Sequence, residues 1–464
     1  MKKIDKKLNK IIPGGAHTYS RGYDQFSYNT PGILKKGKGC YVYDNNDNKY
    51  LDYGMGLRAI ILGYANKKVN KAAVEQINNG NNLTRPSNIE LEFATKLKNS
   101  FSYIDMVKFA KNSSNAVTGA TKLARAYNKR KIILRCLDHP FFSFDDWFIG
   151  STSLERGIPE EIRNLTKTFR FNDLNNFKSL LKKYKNQISC VVMEASSFCC
   201  PNINNSYSQN PIQSFRYSDS NKKSSYNYFP KQDYKKPHFL RDVQKLCKKN
   251  NIVFIVDETI TGFRWHFKGA CYRYKVTPDL VIFGKAIANG FSLAVLAGKK
   301  KIMSLGSIEK KNQERVFLLS STHGAEMSSL GAANKTLDLL KNGKEIKKIW
   351  SHGVKIINGI NNISKKNGLE KNIFLFGLPC SPYLATNVEN KNSLKLKTLL
   401  QEELIKHSIL MPWISISSSH GDKEAKYVIR VFKKILPKIK KILDKDINKL
   451  KFKNLVKPVF RKYN

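Results

Sequence analysis

The chain has 464 residues, 41% of them hydrophobic and 11% aromatic, which is enough to bury a large core and too apolar for a disordered protein. Lys and Arg total 82 against 36 Asp and Glu, a formal charge of +46. The excess is spread along the chain, so it reads as a compositional habit, with nucleic acid as the alternative partner. Eight cysteines without Cys-x-x-Cys or Cys/His ligand spacing exclude a disulfide-stapled fold, and no metal site is expected. The first ten residues are charged and lack the apolar stretch of a signal peptide. No uncharged run approaches the ~20 residues that span a bilayer. A soluble, cytoplasmic protein is the expectation.

Residues 1–65 open on Pro13-Gly14-Gly15 and continue into a hairpin pattern, in which 40–43 and 49–51 flank a turn-forming run of Asp and Asn. From about 66 to 315, helical segments alternate with short apolar strands predicted at 106–110, 132–134, 188–193, 252–256, 280–283 and 293–297. Such alternation predicts an α/β fold with a mostly parallel sheet covered on both faces. Residues 111–115 precede a predicted helix over 116–127 and bring hydroxyls and free backbone amides to its N-terminus, where a phosphate is well held. Residues 150–159 carry a glycine near each end and form a lid candidate. Residues 201–237, rich in Asn, Ser, Tyr and Lys without a period, read as a long surface loop. Beyond about 316, longer helices enclose a smaller α+β piece with apolar runs at 373–376 and 427–431. A basic tail from Phe432 follows, with Ile435, Ile439, Ile442 and Leu443 at helical steps.

The run 252–256 ends in Asp257, and the run 280–283 ends in Gly284 and Lys285. In an open α/β sheet, chemistry collects at the carboxyl ends of parallel strands. Neighbouring strands ending in Asp257 and Lys285 would place an acid and an amine around one crevice. Pyridoxal phosphate chemistry requires that pair: the amine bonds the cofactor aldehyde, and the carboxylate keeps the pyridine nitrogen protonated.

The ordered set Asp257-Glu258-x-x-Thr261-Gly262-Phe263-Arg264, then Thr277-Pro278-Asp279-Leu280 and Gly284-Lys285, resembles the class III, fold-type-I pyridoxal phosphate enzymes. Within them it is most similar to glutamate-1-semialdehyde 2,1-aminomutase and its aminotransferase relatives, and the likeness runs from about Ile12 to about Leu436. The resemblance implies a large domain with a mostly parallel seven-stranded sheet and a smaller α+β C-terminal domain. The limits expected are 1–65 for an N-terminal segment packing with the small domain, 66–315 for the cofactor domain and 316–464 for the remainder. The stretch near 201–237 then reads as an insertion.

The same resemblance implies the site. Lys285 and Asp257 would be catalytic. Ser113, Ser114 and Asn115 would hold the cofactor phosphate, with Ser113 standing where the family usually has Gly. Phe141 falls where relatives often carry a Tyr-His-Gly stretch, and would stack on the pyridine ring. Glu194 matches a glutamate near the cofactor, although Ala195 replaces the usual Pro. Thr322 corresponds to a threonine that reaches the partner subunit's phosphate, which implies a homodimer with shared sites. Arg21, with Thr18 beside it, would bind a substrate carboxylate. Three functions fit: an aminomutase acting within one semialdehyde molecule, an aminotransferase acting on another keto or aldehyde substrate, and an inactive relative whose basic surface binds nucleic acid.

Overall fold

The computed structural model describes residues 1–196, 200–201, 238–309 and 311–463, so nearly all of the expected loop at 201–237 lies outside the described residues. These residues form two compact units. The larger holds the described residues from Lys67 to Ile346 with 462–463, and the smaller holds Met1–Asn66 with Lys347–Arg461. The larger unit continues to Ile346 because the helix Met327–Lys341 packs against the helix Lys67–Asn78.

The larger unit is built on seven strands: β1 (Met106–Ala110), β2 (Ile132–Cys136), β3 (Thr166–Phe169), β4 (Ile188–Met193), β5 (Val253–Asp257), β6 (Leu280–Phe283) and β7 (Ala294–Gly298). Their order across the sheet is β1-β7-β6-β5-β4-β2-β3. Strands β2 to β6 pair in parallel, and β7 runs antiparallel between β1 and β6. Every residue of β4, β5 and β6 is buried, as a strand covered on both faces requires. That explains why these runs are almost wholly apolar instead of alternating, with the buried Ser189 hydroxyl donating to the Ile132 carbonyl at 2.9 Å. The seven-stranded, mostly parallel sheet matches the expectation, with one strand more than the sequence indicated. The extra one, β3, is Thr-Lys-Thr-Phe, half-buried at its two middle positions and without the apolar run that marks its neighbours.

Helix α1 (Ser113–Asn128) lies against the sheet on a face of small residues. Ala116, Ala120 and Ala124 recur every fourth position and are fully buried with Val117 and Leu123. Small side chains let the helix approach the strands closely, so its N-terminus is set firmly at the strand tips.

The acids of the central motif divide by task. Glu258 is fully buried, and its carboxylate accepts from the backbone amides of Ala270 (3.0 Å) and Cys271 (2.7 Å) and from the Thr261 hydroxyl. It thereby fixes the start of α2 (Gly269–Tyr274). Gly269 has φ +74° and approaches so closely that a Cβ there would sit 2.6 Å from Glu258 Oε1. Asp279 accepts from the Phe254 amide at 2.9 Å and pairs with Lys299 at 2.5 Å, which ties together the starts of β5 and β6. Both are structural.

In the smaller unit, strands Leu34–Lys38, Tyr41–Asp44 and Lys49–Asp52 form an antiparallel meander, joined in parallel by Ile409–Leu410. Asp44 closes the hairpin by accepting from the amides of Asn46 and Asn48, each at 2.9 Å. A second sheet is made by Ile373–Phe376, Tyr383–Val388 and Lys391–Asn392. The apolar run at 427–431 is helical, not extended as its composition suggested. It belongs to the helix Asp422–Lys445, which buries Val428, Val431, Phe432, Ile435 and Ile439 at three- and four-residue steps. That helix ends at Lys445, so the basic tail beyond it forms only a short 3-10 turn, Ile447–Lys449. Among the described residues no helix is long and apolar enough to cross a membrane.

Candidate active site

Asp257 is the last residue of β5 and pairs in register with Ile282 of β6. Three residues past Ile282 the chain reaches Lys285. On the other side, Met193 of β4 pairs with Val256, so Glu194 stands level with Asp257. Three adjacent parallel strands therefore carry Glu194 and Asp257 at their tips and Lys285 just beyond.

Asp257 is 3% exposed, and burial pushes its carboxyl up to about 6. The Thr259 backbone amide, which donates to Asp257 Oδ1 at 2.8 Å, and the nearby Lys285 oppose that rise. Lys285 is half-buried at the start of a 3-10 turn, Lys285–Ala288, with φ +45°. Positive φ is costly for a lysine and is found where the surrounding structure imposes it, often at functional sites.

Gly284 is where α1 meets these tips. A Cβ at that position would lie 2.3 Å from Ser113 Oγ and 3.2 Å from Thr259 Cγ2. Only glycine lets the first residue of α1 come this near to the residue before Lys285. Gly284→Ala is expected to destabilise the protein by about 1–3 kcal/mol through overpacking. Thermal unfolding of G284A, S113A and the double variant would check the cause, because removing the Ser113 hydroxyl should recover part of the loss.

At the N-terminus of α1, Asn112 is the cap. Its Oδ1 accepts from the Asn115 amide at 3.0 Å, and its Nδ2 donates to Asn115 Oδ1 at 2.8 Å. Asn115 is thus engaged with the cap, and the first-turn amides of Ser113 and Ser114 remain available for an anion. The Ser114 hydroxyl accepts from the Phe144 amide at 3.3 Å, which leaves its own hydrogen free to donate. Further along, Asp145 accepts from the Thr118 and Ser143 hydroxyls, and Trp147 Nε1 donates to Thr118 Oγ1 at 2.8 Å. The segment after Phe141 is therefore anchored on the first two turns of α1. The two phenylalanines separate cleanly: Phe142 is 1% exposed and packs in the core, whereas Phe141 is 44% exposed.

His139 belongs to the site without any mark in the sequence that singles it out. It is buried, its Nδ1 accepts from the Glu194 amide at 3.0 Å, and burial pushes its pKa down to about 3. A neutral imidazole here ties the segment after β2 to the tip of β4. Only its place two residues before Phe141 could have signalled it.

Thr322 is exposed in the loop before the helix Met327–Lys341, where its carbonyl accepts from Asn82 Nδ2 at 3.1 Å. Glu326 of that loop pairs with Lys111, just ahead of the α1 cap. Arg21 and Thr18 belong to the smaller unit. The Thr18 carbonyl accepts from the Arg21 amide at 2.9 Å. Arg21 lines a cavity of about 480 Å³ with Tyr23, Phe26, Tyr64 and Trp413. Among the described residues its guanidinium makes no ion pair. Tyr64 donates to the buried carboxylate of Asp52 at 2.6 Å.

The profile of the class-III aminotransferases matches residues 23–197 and 233–409, most of the chain. The chain belongs to that family. This class-III aminotransferase is 29% identical over 365 residues to the glutamate-1-semialdehyde 2,1-aminomutase of Francisella philomiragia, covering 77% of this chain and 76% of the relative. It is 26% identical to the 3-aminobutyryl-CoA aminotransferase of Cloacimonas acidaminovorans, over 94% and 97% of the two chains. Among solved structures, the FumI protein of Sphingopyxis sp. MTA144, in a form carrying pyridoxal phosphate, superposes with a TM-score of 0.78 at 20% identity. It covers 95% of this chain and 96% of its own, which shows the shared fold-type-I architecture.

Class-III aminotransferases are pyridoxal phosphate enzymes, and the residues at the strand tips fit that group. Available amides and hydroxyls at a helix N-terminus suit a dianionic phosphate. A buried carboxylate suits a protonated pyridine nitrogen, and an amine on a strained turn suits an aldehyde.

Proposed function

We propose that this enzyme moves an amino group within glutamate-1-semialdehyde to give 5-aminolevulinate. The observation that carries the chemistry is the pairing of the parallel strands that end in Asp257 and lead to Lys285. The choice of substrate is supported by the likeness to aminomutases.

Pyridoxal phosphate, when bound, supplies a sink for the electrons released at the carbon that carries the amino group. Lys285 removes the proton from that carbon and returns it elsewhere, as general base and then general acid. Asp257 holds a proton on the ring nitrogen, and its burial makes that charge pair strong. Ser113 and Ser114 would hold the phosphate from the end of α1, Asn115 only through its side-chain amide because Asn112 takes its backbone amide, and Thr322 would do so from the partner subunit of a homodimer. Phe141 would supply an aromatic face for the ring, and Glu194, at the tip of β4, would be a further polar group near it. Arg21, with Thr18, orients the substrate carboxylate.

An aminotransferase acting on another keto or aldehyde substrate is the second reading. It is favoured by Phe141, by Ser113 and Ala195 where the family usually has Gly and Pro, and by the likeness to an aminotransferase over nearly the whole chain. Purified protein supplied with glutamate-1-semialdehyde and no keto acid separates the two. Complete conversion to 5-aminolevulinate is the result expected. No conversion would reject the aminomutase in favour of the aminotransferase.

A further inference from the structure

We propose that the exposed face of the helix Asp422–Lys445 is a docking surface for double-stranded DNA, held by its phosphates without regard to base sequence. The surface lies wholly within the smaller unit and is independent of the chemistry at Lys285.

The basic residues that are scattered along the sequence are gathered here by the fold. One side of the helix is packed into the core through Val428, Val431, Phe432, Ile435 and Ile439, which fixes the direction the other side faces. Between Lys426 and Lys441 the exposed positions are Lys426, Arg430, Lys433, Lys434, Lys438 and Lys441, interrupted only by Pro437. They recur at three- and four-residue steps and form a ridge about 22 Å long, at about 1.5 Å per residue. Lys433 and Lys434 stand about 100° apart around the axis, so the ridge offers charge on both flanks.

Among the described residues none of these six cations forms an ion pair. The acids at the ends of the helix are already taken: Asp422 pairs with Lys355, Asp444 pairs with Lys440, and Glu424 accepts from the Tyr41 hydroxyl at 2.7 Å. From Ala425 to Leu443 the helix carries no acid. Like charges three or four residues apart repel along a helix, as Lys426 and Arg430, Arg430 and Lys434, and Lys434 and Lys438 do here. An acid one turn on relieves such repulsion, as Asp444 does for Lys440. Along the ridge that relief has to come from outside, and a polyanion supplies it to every charge at once.

The residues missing from the ridge select the polyanion. Among the described residues this helix exposes no large hydrophobic side chain. A helix that lies on a membrane inserts an apolar face, and the apolar face here is packed in the core. Single-stranded nucleic acid is held by bases stacked on exposed aromatic rings, and the ridge has none. A rigid row of cations matches the backbone of a duplex, which carries one charge per about 1.7 Å of its axis. The major groove of B-form DNA, about 12 Å wide, admits a helix, whereas that of an RNA duplex is deep and narrow. Contacts to phosphates position a duplex and do not read its sequence.

Fluorescence anisotropy of a labelled DNA duplex of about 20 base pairs, titrated with the full-length protein over a range of salt concentrations, tests this. Six phosphate contacts predict a slope of log affinity against log salt of about −5, and a loss of about 10³-fold between about 50 and 200 mM. Replacing four together, Arg430→Gln, Lys434→Gln, Lys438→Gln and Lys441→Gln, is expected to cut the slope to about −2 and the loss to about 10-fold. All four are exposed, and thermal unfolding would show the variant folded. A comparison protein with four exposed lysines of the larger unit replaced instead, Lys98, Lys178, Lys182 and Lys245 by Gln, should keep the wild-type slope. An equal fall in the comparison protein would overturn the proposal, because the attraction would then belong to net charge and not to the ridge. So would failure to bind the duplex, a preference between two duplexes of unrelated sequence, tighter binding to an RNA duplex, or binding only to vesicles of phosphatidylserine and phosphatidylcholine.

Discussion

Lys285→Ala is expected to lower turnover by about 10²- to 10⁴-fold, the range general acid–base catalysis contributes, with further loss because the covalent hold on the cofactor goes too. The protein should remain folded. Lys285 is half-buried, follows a glycine and occupies a left-handed conformation that alanine adopts no more easily. Its neighbours Ala286, Ile287 and Ala288 are packed in the core and keep the turn in place. Visible absorption and steady-state kinetics on the same sample would check both effects. Full activity in the variant would mean that the proton passes through another group.

Asp257→Asn is expected to lower turnover by about 10²- to 10³-fold, as removal of a preorganised electrostatic group does, and at the same time to stabilise the protein stripped of cofactor. The second effect follows from burial. The carboxyl is raised from 3.8 to about 6 in the fold, so the folded chain holds this proton more firmly than the unfolded chain. Its contribution to stability is therefore most favourable below 3.8 and is lost as pH rises through about 6. At neutral pH the ionised group costs on the order of 3 kcal/mol relative to its unfolded state, at about 1.4 kcal/mol per unit. Asparagine keeps the acceptor for the Thr259 amide and carries no charge to bury. Denaturant unfolding should show D257N more stable than the wild type at neutral pH, with the gap closing as pH falls toward 4. A D257N protein that is less stable at neutral pH would show that Asp257 is held by structure and not spent on function.

The sheet is legible because its central strands are buried on both faces and so appear as short, mostly apolar runs. Strand β3 was not, since at the edge next to β2 the middle of Thr-Lys-Thr-Phe is only half-buried. The run at 427–431 misled for the opposite reason. Tyr-Val-Ile-Arg-Val favours strands by composition, but Val428, Val431 and Ile435 fall on one helical face, and Glu424 closes the cap by accepting from the Gly421 amide at 2.9 Å. At the site, the strand endings point to Asp257, which closes one apolar run, and to Lys285, which follows another after a single glycine. Thr259, His139 and the Thr118–Asp145 contacts carry no such mark. Their importance comes from packing between segments distant in sequence, as where Ser113 fills the space a side chain at Gly284 would need.

The account depends on Lys285 being the amine that holds the cofactor. Borohydride treatment of the enzyme as isolated with pyridoxal phosphate, then proteolysis and mass spectrometry, tests this directly. A phosphopyridoxyl group on the peptide containing Lys285, and its absence from K285A, is the predicted result. The same group on a different lysine, or on none, would contradict it.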